Sequence, residues 1–122
     1  MSARVLIVDD HAPFRALARR LLTDDGFDVV GEAADGAAAI DAARALRPDV
    51  VLLDVQLPDV DGFRVAKALA GALPSPAVVL VSSRSGSDYG SKLTTSAARG
   101  FIPKSDLSGE RLQRLLDSRQ QG

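Results

Sequence analysis

Five short apolar runs constrain this chain more than any other feature. They are Val5–Val8, Val29–Val30 entered through Phe27, Val50–Leu53, Val78–Val81 and Phe101–Ile102. Hydrophobicity that is continuous rather than alternating marks strands covered on both faces, as in a parallel sheet. Segments of helical period lie between them. Phe14, Leu17, Ala18, Leu21 and Leu22 form one stripe at i, i+3, i+4, i+7 and i+8, with Arg15, Arg19 and Arg20 off it. Asp35 is placed to cap a helix over Ala37–Ala45 that Pro48 ends, and Asp61 to cap another from Gly62 to about Ala70. The Leu73-Pro74-Ser75-Pro76 stretch stops that one. Leu112, Leu115 and Leu116 mark a last helix, with Glu110 and Arg114 paired at i, i+4. Five βα repeats predict an α/β fold: a single (βα)5 doubly wound parallel sheet.

Length and composition narrow the function. At 122 residues there is room for one domain, with no space for a second or for a long linker. Apolar residues at 46% supply enough mass for a core, which argues against a disordered chain. Fifteen basic against sixteen acidic side chains give a net charge of −1, so no general affinity for nucleic acid or anionic membrane is expected. The absence of cysteine excludes disulfides, thiolate metal sites and cysteine nucleophiles, and a single histidine cannot build a polyhistidine site. No apolar run approaches the roughly 20 residues of a membrane span, and a cytoplasmic location is expected.

The polar residues that follow the runs carry the chemistry. Strand one ends in Asp9-Asp10, strand three in Asp54, strand four in Ser82-Ser83, and strand five runs into Pro103-Lys104. In an open parallel sheet the carboxyl ends of the strands face one crevice, at the switch point of strand order. With strand order 2-1-3-4-5, strands one and three are neighbours there and three carboxylates converge beside a hydroxyl and an ammonium. Clustered carboxylates repel unless protonated or held by a cation. An all-oxygen donor set suits Mg²⁺. Taken singly, each residue has a plainer reading. Asp9-Asp10 could cap the first helix, Asp54 could be a turn residue, Ser82 a loop start and Lys104 a solvated charge. Their occurrence together at four strand ends favours a site that accepts a phosphoryl group.

These residues resemble a known family. Val8-Asp9-Asp10, the stretch Asp54-Val-Gln-Leu-Pro-Asp-Val-Asp-Gly62, Val81-Ser82-Ser83 and Gly100-Phe-Ile-Pro-Lys104 look like the receiver domain of two-component response regulators, with a flavodoxin- or CheY-like fold. The resemblance covers about residues 4–119 and implies one receiver domain over 1–122 with no output domain in this chain. It implies that Asp54 is the phosphoacceptor, served by the phosphohistidine of a sensor histidine kinase or phosphotransfer protein. Asp10, Asp54 and the Gln56 carbonyl would ligate Mg²⁺, and Asp9 would act largely through water. Lys104 and Ser82 would contact the phosphoryl oxygens, with the backbone at Gln56 and Ser83. Ser82 and Phe101 would form the switch, and a homodimer through the helix 4–strand 5–helix 5 face is a further implied partner.

The Gly-Phe-Ile-Pro-Lys-Ser-Asp-Leu-Ser ending is similar to regulators carrying a LuxR-type helix-turn-helix output domain. Ser105 follows Lys104 where many receivers have proline, so a trans link is the default. From Ser82 to Ser96, Ser, Thr and Gly supply ten of fifteen residues, which predicts a long loop ending in a short helix. His11 is expected to face solvent at the start of helix one. Arg84 and the Gln56 side chain are candidates for tuning phosphoryl lifetime.

Three other readings compete. The first is a phosphorylation-silent receiver used as an interaction or dimerisation module. A small-molecule phosphotransferase or phosphatase is disfavoured because Asp54-Val-Gln lacks a second aspartate two residues on. A nucleotide-binding domain is disfavoured because the turn after strand one has neither glycine pattern.

Overall fold

The computed structural model describes residues 2–72, 74–84 and 86–118. Leu73 of the expected helix stop, Ser85 of the serine-rich stretch and residues 119–122 of the polar tail lie outside them. Strands β1 (Arg4–Val8), β2 (Asp28–Ala33), β3 (Val50–Asp54), β4 (Ala77–Ser82) and β5 (Gly100–Pro103) alternate with helices α1 (Ala12–Asp24), α2 (Gly36–Leu46), α3 (Gly62–Ala70), α4 (Ser91–Thr95) and α5 (Gly109–Ser118). All strands pair in parallel, as the pattern of apolar runs predicts, and their order β2-β1-β3-β4-β5 is the one expected of a CheY-like fold.

The strands alternate sides even though their hydrophobicity does not. Val5, Ile7, Val50 and Leu52 face one core with Ala18, Leu22 and Leu112, so α1 and α5 cover that side. Leu6, Val8, Val51 and Leu53 face the other core with Ala39, Val65, Ala66 and Leu69 of α2 and α3. Each fully buried Val, Leu or Ile side chain contributes about 1.5–3 kcal/mol, which is why the runs show no polar position.

The α1 stripe needs one correction. Ala18 and Leu22 are fully buried, but Leu17 is 43% exposed. At about 100° per residue Leu17 lies a full quarter-turn from Ala18, at the stripe's edge and beyond the reach of the sheet. Helix α1 closes into Gly26, whose φ of +96° lies in the left-handed region where nothing crowds a Cβ, so conformation alone favours glycine there. The Phe27 N–H then bonds the Leu22 carbonyl and the chain turns into β2.

The expected caps are present. Asp35 accepts from the Ala38 N–H and Asp61 from the Arg64 N–H. Asp59 adds a cap that sequence reading missed, with its two carboxylate oxygens accepting from the Gly36 and Ala37 N–H groups at 2.8 and 3.1 Å. The loop after β3 is thereby pinned to the start of α2. At the other end of the sheet the Gly109 N–H donates to Asp25 Oδ2 at 2.8 Å, and a Cβ on Gly109 would collide with the Asp25 side chain. Between β4 and β5 a 3-10 turn over Gly86–Asp88 leads into the five-residue α4, matching the loop and short helix expected there. Among the described residues no helix is long and apolar enough to cross a membrane.

Candidate functional site

Four strands deliver their carboxyl ends to one edge of the sheet. At the end of β1, Asp9 is wholly buried and Asp10 exposed. The Asp9 backbone is held on both sides: its N–H bonds the Ala33 carbonyl, and its own carbonyl accepts from Arg15 Nη1 at 2.6 Å. Its Oδ1 accepts from the His11 N–H at 2.8 Å, so Asp9 orders the turn rather than capping α1. His11 itself is the N-cap of α1 and makes no side-chain cap bond.

At the end of β3, Asp54 is 5% exposed and its Oδ1 accepts from the Gln56 N–H at 3.1 Å. Gly62 fixes the return of this loop. Its N–H bonds the Val55 carbonyl at 2.6 Å, and any Cβ there would strike the Asp54 carbonyl and Val55 Cα. The glycine eight residues after Asp54 is thus a requirement of close packing.

Lys104, leaving β5, spans both buried acids. Its Nζ stands 2.6 Å from Asp9 Oδ2 and 3.3 Å from Asp54 Oδ2, and lies over the Phe14 ring at 4.6 Å from its centre. Burial raises the Asp54 carboxyl above its ordinary range, and the neighbouring Asp9 charge adds to this against the Gln56 N–H and Lys104. Burial pulls Lys104 down, but the bond to Asp9 and the charge of Asp54 outweigh it and hold the ammonium above its usual value. One cation therefore sits between two carboxylates, and Asp10 adds a third acid beside them.

Asp10, Asp54, Gln56, Ser83, Lys104 and His11 line one open cleft of about 260 Å³. The donors fit a hard divalent cation. Asp9 Oδ2 is buried and, apart from the Lys104 ammonium beside it, has no directed hydrogen-bond partner. Asp9, Asp10 and His11 each offer a ligand atom within 4.8 Å of one another, although His11 remains 73% exposed as expected. Carboxylate and carbonyl oxygens favour Mg²⁺ over softer metals.

Ser82 stands apart from the cleft. It is 1% exposed at the end of β4, and its Oγ accepts from the Arg84 N–H at 3.1 Å. Its other partner is the Tyr89 hydroxyl at 2.5 Å. The expected Ser82–Phe101 pair is thus connected through Tyr89, whose ring meets Phe101 edge-on at 5.9 Å. Arg84 enters this geometry by its backbone, and its side chain is exposed. Tyr89, the chain's sole tyrosine, carries no signal in the sequence because it stands alone among serines, threonines and glycines with no apolar period around it. Arg15 escaped because its off-stripe position reads as solvated. It pairs instead with Glu32 at 3.0 Å while it holds the Asp9 carbonyl.

Comparison with known proteins shows the family. Residues 5–117 match the response regulator receiver domain, and the chain belongs to that family. It is 35% identical over 98% of its length to a protein-glutamate methylesterase/protein-glutamine glutaminase of Alkalilimnicola ehrlichii, and covers 32% of that protein. It is 31% identical over 83% of its length to the DNA-binding transcriptional activator EvgA of Escherichia coli, covering 50% of it. The chain spans about half or less of the curated relatives it matches. Among solved structures, the signal receiver domain of a response regulator designated NarL from Mycobacterium tuberculosis superposes with a TM-score of 0.85 at 35% identity, covering 98% of this chain and 97% of that one.

Proposed function

We propose that this chain is a phosphoacceptor switch of a bacterial two-component system, with Asp54 as the acceptor. The observation that carries this reading is Lys104 bridging Asp9 and Asp54 at the edge of a cleft that Asp54 itself lines. An Asp54 carboxylate oxygen forms an O–P bond while the P–N bond of a donor phosphohistidine breaks and its electron pair returns to the imidazole. The product is an acyl phosphate, and its added charge falls beside an ammonium already in place. Ser82 and the backbone at Gln56 and Ser83 supply hydrogen bonds to the phosphoryl oxygens. Asp9, Asp10, Asp54 and the Gln56 carbonyl would hold Mg²⁺, which when bound offsets the charge of the carboxylates and the phosphoryl group.

The donor is a sensor histidine kinase or a phosphotransfer protein in the cytoplasm. The readout is a partner or an output domain, reached through the face of α4, β5 and α5, where a homodimer could also form. Its relatives include a methylesterase and a DNA-binding activator, so the output is a property of the attached or recruited partner. No enzymatic activity beyond its own phosphorylation and dephosphorylation is assigned, and residues 4–119 are proposed as the receiver core.

Intact mass after incubation with acetyl phosphate tests the assignment. Wild type gains one phosphoryl group in Mg²⁺ and none in EDTA, and Asp54→Asn gains none. A labelled Asp54→Asn protein would place the acceptor elsewhere. An unlabelled wild type would leave the phosphorylation-silent interaction module as the reading.

A further inference from the structure

The hydroxyl at the end of β4 is already engaged in the resting protein. Ser82 Oγ has one proton and two lone pairs. The Arg84 N–H takes one lone pair, and with Ser82 as the donor to the Tyr89 hydroxyl its single proton is committed there. Among the described residues no hydrogen bond joins Ser82 to Asp54. Asp54 pairs with Val81 in the sheet, so Ser82 follows directly after the acceptor's strand neighbour.

Tyr89 is held as firmly at its ring as at its hydroxyl. Phe63 of α3 and Phe101 of β5 each meet it edge-on with centroids 5.9 Å apart, at 68° and 62°. Edge-on pairs of this kind contribute beyond simple burial. Its backbone joins two elements: the Tyr89 N–H bonds the Gly86 carbonyl of the 3-10 turn, and its own carbonyl accepts from the Lys92 N–H inside α4. Phe101 has no hydroxyl and so cannot hydrogen-bond Ser82 itself.

We infer that Tyr89 is the positioning residue for Ser82, holding the serine hydroxyl at rest and relaying its release to α4 when Asp54 is phosphorylated. This rests on the phosphoacceptor reading and deepens it. The phosphoryl oxygens and the phenol compete for one serine hydroxyl. Once Ser82 turns to the phosphoryl group, the phenol loses its buried partner, and a half-buried polar group without a partner is driven toward water. The ring then leaves its place between Phe63 and Phe101, and the 3-10 turn and α4 go with it.

The chain has one tyrosine and no tryptophan, so its tyrosine emission reports Tyr89 alone. The experiment follows emission and intact mass together during acetyl phosphate labelling in Mg²⁺. Labelled wild type shows an altered emission. Ser82→Ala, which frees the phenol at rest, moves the resting emission toward that of labelled wild type. Tyr89→Phe keeps the ring but not the competing hydroxyl, and labels several-fold faster than wild type. A gain of mass with unchanged emission, a wild-type resting emission in Ser82→Ala, or a wild-type labelling rate in Tyr89→Phe would each overturn the inference and leave the Asp54 assignment standing. Failure of wild type to gain mass would overturn both.

Discussion

Asp54 is kept in an environment that costs stability. Burial and the Asp9 carboxylate raise its proton affinity in the folded protein above that of the unfolded chain. Between those two pKa values stability therefore falls as pH rises, and above the folded value the whole penalty is present. Asp54→Asn removes the charge and leaves Lys104 its closer partner, Asp9, at 2.6 Å. The variant should be more stable than wild type at pH 7 by on the order of 1 kcal/mol, by urea denaturation. The gap should close as pH falls below about 4, where the wild-type carboxyl protonates in both states. A variant less stable at pH 7 would mean that the pairing with Lys104 outweighs burial. The acids and Lys104 were legible in sequence because strand ends in a parallel sheet share an edge. Tyr89 was not, since the angle at which a loop presents a ring has no periodic signature.

The helices differ in how their first turns are satisfied. α3 has the Asp61 cap, with its oxygen on the Arg64 N–H at 3.0 Å. α2 has Asp35 on the Ala38 N–H and Asp59 on two further N–H groups. Asp61→Ala should therefore cost about 1 kcal/mol, and Asp35→Ala measurably less, because Asp59 still covers the same helix end. Denaturation midpoints of the two variants decide it, and equal losses would show that the Asp59 bonds contribute nothing. The Gly36 and Ala37 N–H groups hold the Asp59 carboxyl below its ordinary range, so its support is present at neutral pH and fades as pH falls through that lowered value. Strands and helices with strong apolar patterns were readable to within a residue or two. β2 ran past its valines to Ala33, carried by pairing with β1 rather than by its own composition. Leu17 read as core because periodicity gives a stripe's direction more reliably than its width.

At the scale of the molecule, the acidic edge predicts coupling between metal and fold. A cation that binds only the folded form stabilises it by RT ln(1 + [L]/Kd), about 2.7 kcal/mol at a hundredfold excess over Kd. Mg²⁺ should raise the melting temperature of wild type, and the rise should shrink in Asp10→Asn. In Lys104→Ala it should be larger, because the ammonium beside Asp9 no longer competes with the metal. Thermal melts across a Mg²⁺ series test this, and an unchanged response in Asp10→Asn would remove that residue from the metal site.

The bond from Gly109 to Asp25 lies on the far side of the fold from this chemistry and joins residues 84 positions apart. Asp25 ends α1 with its backbone N–H and receives the first turn of α5 on its carboxylate, and the missing Cβ of Gly109 lets them touch. The earliest and latest helices of the fold are therefore fastened as one cooperative unit, and neither can fray without loosening the other. Strain applied to α5 is thereby carried to the end of α1 as well as to the sheet, on which Leu112 and Leu115 pack.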